Sequence, residues 1–230
     1  VKLTGYDSFV KDFTDVQPTC FALPRGKTQV DLLIQMKSIN YARQGLFTSI
    51  TLNRSNRLEL SIFRNKIIEA MIFSFVLALG LYHLILFIFR PKEISILYFT
   101  ILVCIVMLRI LATGRMVGCD LFGLSWITAL RMDYFSFATV SIPVILYFYR
   151  LYKQYIHKIL VIIWVAEGLV YGILIVATEP TFFTSFLMAH QIMCLLEAVY
   201  LFSLVILLVY KKEKEAPFIA AGFAALMLTS

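Results

Sequence analysis

Charge is scarce in this 230-residue chain: Asp, Glu, Lys and Arg make up 15% of it, against 60% hydrophobic residues. Soluble globular domains carry about 25% charged residues, so a soluble enzyme is the wrong starting point. Cysteine is scarce as well. Cys20, Cys104, Cys119 and Cys194 form no C-x-x-C pair and no zinc spacing. There is no phosphate loop, no nucleophile elbow and no metalloprotease motif. These absences predict a chain that is not itself an enzyme and that holds no metal and no cofactor. Val1–Ser8 lacks the basic start and apolar run of a signal peptide. Basic residues do not cluster on a soluble face, which excludes nucleic acid as a partner.

What the sequence has in abundance is apolar length. Five long stretches run Ile67–Phe89, Ile94–Thr113, Met132–Tyr149, Ile159–Ala177 and Phe182–Tyr210, and a sixth, Ala216–Ser230, is incomplete. A bilayer core of roughly 30 Å takes about 20 apolar residues per helix, so each full stretch can span it. The expected fold is a membrane all-α, polytopic helical bundle in contact with lipid. Because the chain starts at Val1 and stops inside an apolar run, it reads as a piece of a longer protein.

Lys and Arg gather in alternate loops. Arg90, Lys92, Arg150, Lys153, Lys158, Lys211, Lys212 and Lys214 fall on one side, and only Arg115 and Arg131 on the other, eight against two. The positive-inside rule therefore places the first set in the cytoplasm and residues 1–66 outside. That loop bias, with ten Lys/Arg against five Asp/Glu in residues 1–66, accounts for the net charge of +7.

The polar segment before the first span reads as the end of a β-rich domain. Thr28–Met36 has strand character after the turn residues Leu23–Lys27, and Leu46–Leu52 is a second short strand closed by Asn53–Asn56. Strand, turn and strand suggest the tail of a β-sandwich. From Leu58 the pattern turns helical and runs directly into the first span, a short and stiff join.

Several local patterns in and around the first two spans belong together: Tyr82-His83-Leu84, the basic turn Phe87–Glu93, Leu97-Tyr98-Phe99 and Leu108–Gly114. The chain resembles the bacterial seven-transmembrane receptors with diverse intracellular signalling modules. Leu32–Gln35, Asn40, Gly45-Leu46 and Ile50–Leu52 are similar to the end of that family's extracellular domain. Gln44-Gly45 and Leu52-Asn53 depart from the family's pattern.

The resemblance implies residues 1–60 as part of an extracytoplasmic β-sandwich sensor domain, similar to carbohydrate-binding modules. It implies residues 61–230 as a receptor bundle cut before its last span, in a bacterial inner membrane. A cytoplasmic kinase, cyclase or phosphatase would follow the seventh span, and the receptor would act as a homodimer. The recurrence of His83 beside Tyr82 in the family implies packing or coupling rather than ligand contact.

Ionisable groups inside spans are costly and suggest function. Glu69 and Arg109 lie in the outer layer of spans one and two, where an ion pair would lock the two helices. His190, Cys194 and Glu197 share one face of span five by their i, i+4, i+7 spacing, and Glu167 sits near the middle of span four. Glu167, His190 and Glu197 are thus the candidate ligand-binding residues, for a proton, a metal or a small molecule, with interhelical hydrogen bonding as the plainer role. Two good ligands on one helix fall short of a metal site. Pro143 interrupts span three and is a candidate hinge. Cys20 and Cys119 both fall outside in this topology, which allows a disulfide between them.

Three functions follow from these readings. The first is a receptor that binds an extracellular small molecule, a carbohydrate among the candidates, and passes a conformational signal inward. The second is a transporter or channel subunit, for which internal repeats and broken midplane helices are missing. The third is a passive membrane anchor of a signalling enzyme.

Overall fold

The structure, a computed structural model, describes residues 55–113, 118 and 122–213. The expected β-sandwich strands, the incomplete sixth stretch and Cys20 and Cys119 lie outside the described residues. Within them the chain is helical: α1 (Ser55–Phe89), α2 (Ile94–Ala112), α3 (Trp126–Thr139), α4 (Ser141–Leu151), α5 (Lys158–Ala177), α6 (Pro180–Ser185) and α7 (Leu187–Tyr210). Helix is the form that satisfies every backbone N–H and C=O within one apolar segment, so lipid selects it. Five helical segments are long and apolar enough to cross a membrane: Leu60–Phe89, Ile94–Ala112, Ile127–Leu151, Lys158–Ala177 and Leu187–Tyr210.

The first span begins earlier than its apolar stretch. α1 has 35 residues, about 52 Å at 1.5 Å per residue, and so exceeds a hydrocarbon core of roughly 30 Å. Pro91 prevents its continuation, and the turn closes through Glu93 N–H donating to Arg90 O at 3.0 Å. α2 returns antiparallel. A Cβ on Gly80 would meet Val103 at 3.2 Å, and the His83 ring lies 4.4 Å from that of Phe99.

From α2 the bundle grows sideways: α3 and α4 pack on α2, α5 packs on both, and α7 packs on α5. Two apolar cores fill it. Near the basic turns, Ile145, Phe148, Trp164, Leu201, Leu204 and Leu208 are packed together. Toward the opposite end, Tyr134, Ala138, Tyr171, Ile175, Phe183 and Leu187 form the second. Large apolar side chains on the outer faces, such as Ile162, Ile173, Leu195, Val199 and Ile206, are exposed in the position that lipid would cover.

Two spans differ from their expected form. The third is two helices that meet at Val140, not one from Met132 to Tyr149. Pro143 has no N–H to donate to Thr139 O, so the hydrogen bonding is interrupted at Val140, whose φ −60° and ψ −34° stay helical and carry the span on as Ile127–Leu151. The fifth stretch is also divided. Pro180 starts α6, and Thr184 and Ser185 hydroxyls donate back to the carbonyls of Pro180 and Phe182 at 2.6 and 2.5 Å. Phe186 separates α6 from α7, and the span proper is α7.

Specific polar contacts fix the remaining ends. Ser125 caps α3 by accepting from Thr128 N–H at 3.2 Å. Arg131 donates to Val176 O at 2.7 Å and Thr178 O at 3.1 Å, satisfying carbonyls that the end of α5 leaves open. α7 closes in a Schellman turn, with Glu213 N–H donating to Leu208 O at 3.2 Å, Lys212 N–H to Val209 O at 3.0 Å, and Lys212 at φ 57°.

Candidate functional site

Between the two apolar cores lies a buried polar layer contributed by three spans. α5 supplies Glu167, α7 supplies His190, Cys194 and Glu197, and the α3/α4 break supplies Phe137 O and Ser141. α5 reaches the break because it carries no side chain where the helices cross: a Cβ on Gly168 would meet Ala138 O at 2.9 Å. Small residues at this spacing let helix backbones approach closely in membranes.

His190 is the centre of the layer and is 2% exposed. Its Nδ1–H donates to Glu167 Oε1 at 2.8 Å. On the other side of the ring, Nε2 lies 3.3 Å from Cys194 Sγ and 3.4 Å from Phe137 O. The two contacts use Nε2 differently: it accepts from the Cys194 S–H, or it carries a hydrogen and donates to the Phe137 carbonyl. Aromatic rings hold the imidazole in place, Tyr171 tilted at 4.6 Å and Phe137 edge-on at 5.0 Å. Tyr171 in turn donates its hydroxyl to Phe183 O at 3.2 Å, tying the layer to α6.

Glu197 lies farther along the same face of α7 and is 4% exposed. Its carboxyl lies near the Ser141 hydroxyl at the start of α4 and near the Glu167 carboxyl. One of its oxygens, Oε1, is buried with no hydrogen-bond partner among the described residues. α7 therefore touches both sides of the break: His190 reaches the last turn of α3, and Glu197 reaches the first residue of α4.

Glu167, His190 and Glu197 thus come together as one layer, and the other expected residues fall elsewhere. Tyr82 and His83 stay at the α1–α2 contact, their rings 5.1 Å apart, with His83 Nδ1 2.9 Å from Leu79 O. The lock expected between Glu69 and Arg109 is not the one Arg109 makes. Arg109 pairs with Asp133 of α3 at 3.5 Å and lies 5.5 Å above the Phe137 ring. The register of Gly80 on Val103 sets Arg109 near the level of Ser74. That is about 7.5 Å along α1 from Glu69. Pro143 is buried and lines a shallow apolar groove with Tyr98, Phe99, Leu102, Val144 and Tyr147.

Sequence reasoning missed four members of this neighbourhood. Asp133 was available as an ionisable residue within a span, and Gly168 through the small-xxx-small pair it forms with Gly172. Tyr171 and Phe137 carried no distinguishing signal, because aromatics are common throughout the chain. Among the described residues, no three of His, Cys, Asp and Glu converge in a way that could hold a metal ion.

Long apolar helices around one buried, hydrogen-bonded layer define a polytopic membrane protein. The profile of the family described as 7TM diverse intracellular signalling matches residues 65–230, and the chain belongs to that family. It is accordingly a membrane sensor or receptor region. No curated protein matches the chain, and no solved structure does.

Proposed function

We propose that this chain senses an extracytoplasmic small molecule, a carbohydrate being the class its N-terminal segment suggests, and passes the signal through the bundle to a cytoplasmic output module. The chain carries no catalysis of its own, and two copies act together in a bacterial inner membrane. Binding shifts the bundle between two packings, and the ends of α4, α5 and α7 at the basic turns carry that shift onward. A ligand drives such a change only through unequal affinity for the two packings. Moving the balance from 1:99 to 99:1 takes about 5.5 kcal/mol of differential binding. A few buried hydrogen bonds making or breaking is a matching scale.

The observation that carries this reading is the contact of α7 with both sides of the break in the third span. A passive anchor has no use for a broken span held by a buried His and two carboxyls. The test is output from the full-length protein in cells. Pro143→Ala, which restores a hydrogen-bond donor to the span, and Glu167→Ala, which removes the partner of His190, are each expected to change signalling at least several-fold at unchanged protein level. If both variants signal as the parent does, the bundle is an anchor and the receptor reading fails.

A further inference from the structure

Glu197 has an unmet chemical need. It is almost fully enclosed, and Oε1 has no donor among the described residues. Among the described residues, the groups around it are Glu167 from α5, Ser141 from α4 and Cys194 from α7 itself. α3 contributes Asp133, whose partner is Arg109 of α2. The cation bordering the layer is therefore already engaged, by Asp133 and by the face of Phe137. Among the described residues, an ionised Glu197 would face a second carboxyl and no cation that is not already paired. An isolated carboxylate in an apolar medium bears the full cost of its lost hydration. A proton removes that cost and turns the side chain into a donor.

We infer that Glu197 is a proton-binding site and that its occupancy controls the joint at Val140. With the proton on, α7 closes against Ser141 and the break is held. With the proton off, the charge requires water, and α7 moves away from α4. The site itself does not depend on the receptor reading; its role in signalling does.

The test uses the full-length protein with every tryptophan except Trp164 replaced by Phe, in lipid vesicles, without ligand. Infrared spectra are titrated from about pH 5 to about pH 9. Emission of Trp164, whose ring lies 5.2 Å from that of Tyr200 across the α5–α7 contact, is followed in parallel. The expected result is a protonated-carboxyl band that fades as pH rises and is missing in Glu197→Gln, with a Trp164 shift over the same range that the substitution abolishes. Gln matches the protonated side chain in size and hydrogen bonding, so that variant keeps the closed fold.

Absence of any band assignable to Glu197 overturns the site. A Glu197 band that survives to the top of the range, or a Trp164 shift that persists in Glu197→Gln, overturns its control of the joint. Since neither ligand nor output module takes part, these failures leave the receptor reading standing. Loss of that reading in the signalling test leaves the proton site standing.

Discussion

His190 shows how much one side chain can be asked to hold in an apolar interior. Its ring bonds Glu167 on α5, meets Cys194 on its own helix and faces the Phe137 carbonyl on α3. In lipid such a group cannot fall back on water, so each partner matters more for what its loss exposes than for what its presence adds. Glu167→Ala strands the Nδ1–H of a side chain that is 1% exposed. The expected cost is about 1–3 kcal/mol. Glu167→Gln keeps an acceptor at the same place and is expected to recover most of it. Reversible unfolding in mixed micelles measures both. Equal losses for the two variants would mean that charge on Glu167, and not its hydrogen bond, sustains the layer.

At the scale of helices, the crossing of α5 over the break depends on missing side chains. A Cβ on Gly168 would sit 2.9 Å from the Ala138 carbonyl, which is backbone and cannot swing aside, whereas one on Gly172 would meet Thr139 and Phe135 side chains at 3.4 and 3.5 Å. Gly168→Ala is therefore expected to push α5 off the joint and cost about 1–3 kcal/mol as overpacking. Gly172→Ala, in ordinary contact, is expected to be tolerated. The comparison is made by thermal unfolding of the two variants in one detergent. A larger loss at Gly172 would contradict the crossing geometry.

The helices were largely legible in the sequence, because lipid leaves few alternatives to a long apolar run. Five spans were expected and five are present, with ends moved by a few residues at most except at the start of α1. The breaks were less legible. Pro143 announced an irregularity, but its effect falls at Val140, since the carbonyl it leaves without a donor lies four residues back. The face shared by His190, Cys194 and Glu197 follows from helical spacing alone, whereas their meeting with Glu167 depends on how α5 and α7 pack. The pairing of Arg109 failed for the same reason: spacing fixes a face, and only packing chooses between the two helices that face can meet.

At the scale of the whole molecule, α1 stands apart. It packs on α2 at the edge of the bundle, and no residue of its most apolar stretch is buried. α7, by contrast, leaves the bundle through a well-fastened exit. Tyr155 donates to Glu213 at 3.0 Å while Lys211 lies 4.5 Å over its ring, so the α4–α5 turn holds the end of α7. The Glu213 bond also keeps the Tyr155 hydroxyl protonated to higher pH than a free tyrosine.

This exit lies on the side that carries Arg90, Lys92, Lys153 and Lys158. The charge bias predicts that side to be cytoplasmic. The turn at Thr178-Glu179 lies at the other end of α5 and must then face outward. In a cysteine-free background, a membrane-impermeant thiol reagent added to intact spheroplasts should label Glu179→Cys and not Lys153→Cys, and the preference should reverse in inverted vesicles. Labelling of both positions from one side would break the span between them. The reverse pattern would put the end of α7 outside, where no cytoplasmic module could take up its motion.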